Sequence, residues 1–188
     1  MSIRENFVIP KRYNTIAIAL MVVGVLAIVG LYATQGSKDD ARAQARFWGS
    51  LLQNSVYFLL VVNAAMFFIC VTTMAMAGWV VAFRRVSEAI SSVVPILGVI
   101  TFVILMAIVF GGRTDIYHWL DKEAVANDHI LNGKKGFLNP MFFSIWSFLT
   151  IFLWWFLGKK MRSMSLESDR KGTMDYETGK KWIWNNTV

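Results

Sequence analysis

The chain has 188 residues, of which 56% are hydrophobic and only 16% charged, with a mean hydropathy of +0.49. Soluble domains carry about a quarter charged residues, and here the few charges are confined to short segments between long apolar runs, which excludes an ordinary soluble domain. The net charge of +7 is no nucleic-acid footprint, because most basic residues flank the apolar runs and none interleaves with aromatics as in a soluble binding domain.

Residues 13–33, 47–83, 89–112 and 136–158 contain no Asp, Glu, Lys or Arg. Each run meets the roughly 20 residues that a helix needs to cross a hydrocarbon core about 30 Å thick. Lipid offers no hydrogen-bond partner to bare backbone, and the alternating pattern of a membrane barrel is absent, so the runs predict helices. The expected fold is all-α: an integral membrane four-helix bundle over residues 13–160, with spans at 13–33, 53–83, 89–112 and 138–158. A leader (1–12) and a tail (161–188) flank it.

The leader is basic and closed by Pro10, and Lys11-Arg12-Tyr13 forms an interfacial anchor for the first span. The first apolar run is too long for a secretory signal core and lacks a small-residue cleavage site. Gln35-Gly36-Ser37 then predicts a helix stop, with Ser37 as a cap for a new helix and Asp39 and Asp40 in its first turn. Residues 38–50 fit an amphipathic helix lying along the interface before the chain turns inward.

Span two holds Gln53, Asn54 and Asn63. Asn63 is the deepest, and a carboxamide in lipid seeks a partner on another helix or a water or ligand contact. Cys70 has no second cysteine to bond and is expected to pack as a small apolar residue. Met66, Met74 and Met76 lack the soft-ligand spacing of a metal site.

Between spans two and three lie Arg84, Arg85 and Glu88, expected as a short charged turn pinched between membrane-length segments. Positions 84 and 88 are neighbours on a helix face. Three roles compete: a turn obeying the positive-inside rule, a dock for a neighbouring subunit or anionic lipid, and a proton-handling carboxylate. Pro95 follows, harmless in a first helical turn and a kink further in.

The loop from Arg113 to Lys135 holds His118, Asp121, Asp128 and His129, with a turn at Asn132-Gly133. A solvated loop is the ordinary reading, and a proton exit through His118 and Asp121 the sharper one, since histidine titrates nearest neutral pH. Asn139-Pro140 predicts the start of span four, whose Trp154 and Trp155 sit at the interface ahead of Lys159, Lys160 and Arg162. Residues 163–179 read as a polar loop. The closing KKWIWNNTV resembles the anchor before a further span, which suggests the first part of a longer protein.

Sidedness follows from the 19 basic residues: 12 fall in the leader, the 84–85 segment and the chain from Lys159 onward, and 7 in the two loops on the other side. Both termini are therefore expected to be cytoplasmic. No span contains a histidine, so paired membrane haem ligands are missing. There is no CxxCH, no cysteine set for a cluster, and no P-loop, HExxH, GxSxG or dinucleotide fingerprint. No catalytic, cofactor-binding or metal-binding residues are expected, and catalysis by this chain alone is not.

FRRVSEAIS followed by a proline and an apolar span, then YHW, then GFLNPMFFSIWSFLTIFLWWFLGKKMR, resembles the first four-helix half of the F-type subunit of bacterial alternative complex III. That complex is a membrane quinol:cytochrome c oxidoreductase, and the subunit belongs with the NrfD-like (polysulfide-reductase-type) membrane proteins. The resemblance covers about residues 50–188. It implies a cofactor-free subunit of a respiratory assembly in the bacterial inner membrane, with haem c, iron–sulfur clusters and quinol on partner subunits. Those partners would be an NrfD-like quinol-binding subunit, multihaem cytochrome c and iron–sulfur subunits, and a terminal oxidase, with membrane lipids around them and no nucleic acid. Scaffolding comes first among the implied roles and proton conduction second, with Glu88, Arg84 and Arg85 as cytoplasmic candidates and His118 and Asp121 as outer ones. Family members have about ten spans, whereas this chain shows four. A small transporter or channel and a purely structural tetraspan protein remain the alternatives.

Overall fold

The computed structural model describes residues 10–36 and 40–171, together with 177, 179–181 and 184. The fold is all-α, and four of its helices are long and apolar enough to cross a membrane. In chain order these are α1 (Lys11–Leu31), α2 (Ala41–Met74), a segment made of α3 (Val81–Ser91) and α4 (Val94–Phe110), and α7 (Pro140–Lys171). Two short helices, α5 (Lys122–Asn127) and α6 (His129–Gly133), lie between α4 and α7. The chain divides into two compact units, residues 1–48 and 49–188.

In the first unit α1 ends in a π-helical turn, Tyr32–Gly36. A methyl group at Gly36 would come 2.7 Å from the Tyr32 ring and 3.2 Å from Phe47, so only glycine fits beneath these rings. Tyr32, Phe47 and Trp48 form an aromatic cluster with centroids 5.5 to 6.2 Å apart. Asp40 caps α2: its Oδ1 accepts from the Arg42 amide at 3.0 Å. Ser37 and Asp39 lie outside the described residues, as do residues 1–9 of the leader. No separate interfacial helix precedes span two, because α2 runs unbroken for 34 residues, about 50 Å at 1.5 Å per residue.

The second unit packs three long helices. On α2, Leu59, Val62, Met66 and Ile69 are buried, and on α4, Val94, Gly98, Thr101, Ile104 and Ile108. Both sets recur every three or four residues, the spacing of one helix face. The Thr101 hydroxyl donates to the Ser55 carbonyl of α2 at 3.3 Å. A methyl at Gly98 would come 2.6 Å from Ile151 Cγ2, so glycine sets the close approach of α4 and α7. Phe102 and Phe148 meet edge-on further along the same seam. On the third side, Met66 Sδ lies beneath Gly158, and Cys70 Sγ is 3.5 Å from Met161 Sδ, the packing role expected of that cysteine.

Helix ends differ from the expected spans in instructive ways. α2 stops at Met74, well short of Phe83, and the following residues close a Schellman cap. The Ala77 amide bonds the Thr72 carbonyl and the Met76 amide the Thr73 carbonyl, with Met76 at φ 50. The turn between spans two and three is thus residues 75–80, and the charged segment beyond it is helical. Pro95 then separates α3 from α4: it brings no amide proton to the Ser91 carbonyl and its ring crowds that oxygen. It sits in the first turn of α4, where the loss is small.

α4 ends in a second Schellman cap, with the Arg113 amide on the Ile108 carbonyl and Gly112 at φ 61. The expected polar loop beyond it contains α5 and α6, N-capped by Asp121 and Asp128. Tyr117, Trp119 and Phe143 pack this segment against the start of α7. α7 begins at Pro140, with the Asn139 Oδ1 accepting from the Phe142 amide at 2.8 Å. Its helix continues through Lys171, so residues 163–171 are not the loop that their polarity suggested; charged residues of good helix propensity do not end a helix.

Candidate functional site

Helix α3 carries the one buried carboxylate among the described residues, Glu88, whose side chain is 5% exposed. Positions 84 and 85 precede it by four and three residues, which puts both guanidinium groups over the same helix face. Arg84 Nε donates to Oε1 at 3.0 Å, and Arg85 Nη1 donates to Oε2. Each bond is charge-assisted, and together they engage both carboxylate oxygens. Arg84 is 19% exposed and Arg85 42%, so one cation is enclosed with the acid and the other reaches outward. The cluster keeps one net positive charge. A carboxylate with both oxygens held in this way is a fastener between side chains before it is a proton carrier.

The backbone around the clamp is tied down as well. Ser91 Oγ donates to the Glu88 carbonyl at 3.0 Å, and Ser92 Oγ to the Ala89 carbonyl, in addition to the Ser92 amide bond that each carbonyl accepts. Ser91 is buried, as are Thr72 near the end of α2 and Ser165 on α7. This end of the second unit therefore combines the clamp with the basic end of α7.

The other sequence candidates lie elsewhere. His118 and Asp121 follow the far end of α4 and are not brought to the clamp. His118 is exposed and opens a short 3-10 turn. The Asp121 carboxylate accepts from the Glu123 amide at 2.9 Å, and Asp128 Oδ1 from the Ile130 amide at 2.8 Å. Both acids are thus engaged as helix caps. Asn63 lies between Val62 and Met66 on α2, and its Oδ1 is buried with no hydrogen-bond partner among the described residues. Among those residues no three His, Cys, Asp or Glu side chains converge as a metal site would require.

Sequence reasoning missed a cleft on the outer side of the α4–α7 seam. An apolar groove of about 440 Å³ runs between Pro95, Val99 and Phe102 on α4 and Phe148, Phe152 and Trp155 on α7. A smaller pocket of about 140 Å³ opens beside it, sharing Pro95 and Trp155 and adding Ser91, Ser92, Lys159 and Arg162. The signal was present as the i, i+3, i+4, i+7 spacing of Pro95, Gly98, Val99 and Phe102, answered by Phe148, Ile151, Phe152 and Trp155. Apolar residues fill every face of a membrane span, so that spacing does not stand out until the facing helix is known.

Comparison with protein-family models, with curated proteins and with solved structures returns no match. The chain is a membrane protein by the length and composition of its four long helices.

Proposed function

We propose that this chain is a scaffolding subunit, embedded in the bacterial inner membrane, of a respiratory quinol:cytochrome c oxidoreductase of the alternative complex III type. It would be the NrfD-like first bundle, with both termini cytoplasmic. Haem c, iron–sulfur clusters and quinol would reside on partner subunits, and the electrons would leave for cytochrome c or a terminal oxidase. The motif resemblance from FRRVSEAIS to the aromatic α7 supports the family, and the four long helices support the membrane setting.

The observation that carries scaffolding ahead of proton conduction is the clamp. Glu88 is the one buried carboxylate among the described residues, and both of its oxygens accept from guanidinium donors. Proton conduction is the second reading, favoured by the buried Asn63 oxygen, which a water molecule would satisfy. Glu88→Gln in native membranes separates the two. A scaffold loses yield of assembled complex while each remaining complex keeps its turnover and proton-to-electron ratio. A conductor keeps its yield and loses the proton ratio. Unchanged yield, turnover and ratio together would remove Glu88 from both roles.

A further inference from the structure

The cleft along the α4–α7 seam is amphipathic from end to end. Its apolar part spans eight residues on each helix, from Pro95 to Phe102 and from Phe148 to Trp155. That is about 10 Å of helix rise, two-thirds of a leaflet about 15 Å deep. Gly98 keeps its floor low, since α4 meets Ile151 there without a side chain between them. The aromatic wall is stiff: Phe148 stacks on Phe152, Phe152 on Phe156, and Trp155 meets Phe152 edge-on. At one end the groove meets the smaller pocket, where Lys159 Nζ lies 5.3 Å above the Trp155 ring and Arg162 follows one turn later on the same face. Among the described residues neither Lys159 nor Arg162 forms an ion pair, in contrast to Arg84 and Arg85.

We infer that this cleft is a binding site for one anionic phospholipid, its phosphate between Lys159 and Arg162 and one acyl chain along the groove past Gly98. The charge complements a phosphate diester, the aromatic mouth matches headgroup depth, and the groove covers two-thirds of one leaflet's depth. A basic pocket opening between membrane helices holds a lipid head where cation and chain sites are continuous, and here they share Pro95 and Trp155. The Ser91 and Ser92 hydroxyls already donate to backbone carbonyls, which leaves the two cations as the principal phosphate donors. The lipid site is thus set apart from Arg84 and Arg85, which each form an ion pair with Glu88.

The test titrates the purified full chain, in mild detergent, with phosphatidylglycerol or phosphatidylcholine of matched acyl chains and counts bound lipid by native mass spectrometry. At about fivefold per cation near a membrane surface, phosphatidylglycerol is favoured on the order of 20-fold. Lys159→Gln with Arg162→Gln abolishes that preference, while Lys134→Gln with Lys135→Gln, on exposed loop positions, leaves it intact. Val99→Trp fills the groove from an exposed wall position and weakens both lipids while the protein stays folded. Equal binding of the two lipids, or a preference that survives loss of Lys159 and Arg162, overturns the proposal. So does a Val99→Trp protein that binds as tightly as wild type, or inorganic phosphate competing as well as the lipid, since either would leave a headgroup site without a chain site. A partner protein helix found seated along Val99 and Phe152 would also overturn it.

Discussion

Replacing Glu88 by Gln keeps the shape of the clamp and removes its charge, and the cost can be worked from the exposure of the two arginines. Removing one member of a fully buried ion pair costs about 3–5 kcal/mol, because the other charge stays behind without compensation. Here Arg84 is 19% exposed and Arg85 42%, so both cations recover part of their hydration, and the amide oxygen of glutamine still accepts one bond. The net loss is about 2 kcal/mol. Arg84→Gln leaves Glu88 buried against Arg85 alone and costs about 1.5 kcal/mol. Arg85→Gln removes the more exposed partner and costs under about 1 kcal/mol, in the range of surface pairs. For a chain of this length each kcal/mol lowers the melting temperature by about 2–4 °C, so Glu88→Gln falls by about 4–8 °C. Thermal unfolding of the purified chain in one detergent, followed by tryptophan fluorescence, reads all three variants. The expected order of loss is Glu88, then Arg84, then Arg85. A Glu88→Gln protein that melts with wild type, or an Arg85 variant that loses most, would refute the clamp as a stabilising element.

Three further outcomes follow from the helix contacts and caps. Gly98→Ala places a methyl 2.6 Å from Ile151 Cγ2 and should cost about 1–3 kcal/mol by overpacking; in a double-mutant cycle Ile151→Ala should recover part of it, and strict additivity would show that the seam is not where the strain arises. Met76 is exposed and holds φ 50 in the cap of α2, so Met76→Gly should stabilise by about 0.5–1 kcal/mol, with a lower melting temperature as the contrary result. Burial beside Trp119 and Phe143 raises the Tyr117 phenol above its ordinary value, because the phenolate is disfavoured there. A raised folded-state value means the stabilisation is complete below about pH 10 and is lost as pH rises through the folded value. Hydrogen exchange of residues 113–127 should therefore accelerate above pH 10 in wild type, and Tyr117→Phe should flatten that dependence; identical profiles would remove Tyr117 as the cause.

Spans and breaks were unequally legible in the amino-acid sequence, for physical reasons. The four apolar runs announce four membrane helices because a charge inside lipid is costly, and that constraint overrides every weaker signal. Asn139-Pro140 located the start of α7 because a capping side chain and a proline at the first helical position leave a local signature. The end of α2 left none. Its left-handed cap residue is Met76, where glycine or asparagine is usual, so the charges at 84–88 were mistaken for the turn. The same bias toward reading charge as loop hid the last turns of α7. Among the site residues, the i, i+4 spacing foretold the pairing of Glu88 with Arg84, whereas the i, i+3 bond to Arg85 emerged only with the structure. Spacing could not foretell that the carboxylate would be buried, which depends on what packs over α3. Asp121 and Asp128 stood out as ionisable groups although their commonest local use, capping the helix that follows, accounts for both. The groove between α4 and α7 depends on two helices separated by the whole 113–139 segment, and no local pattern encodes such a meeting.

The proposed role is tested most directly by mild-detergent purification of the tagged protein from its native membrane, with a haem-stained native gel and a quinol-to-cytochrome c assay on the same sample. A scaffold of a quinol-oxidising complex brings c-type haem and quinol:cytochrome c activity with it through the column. A protein that elutes alone, colourless and inactive from membranes whose quinol oxidation remains intact would contradict the assignment to a respiratory assembly.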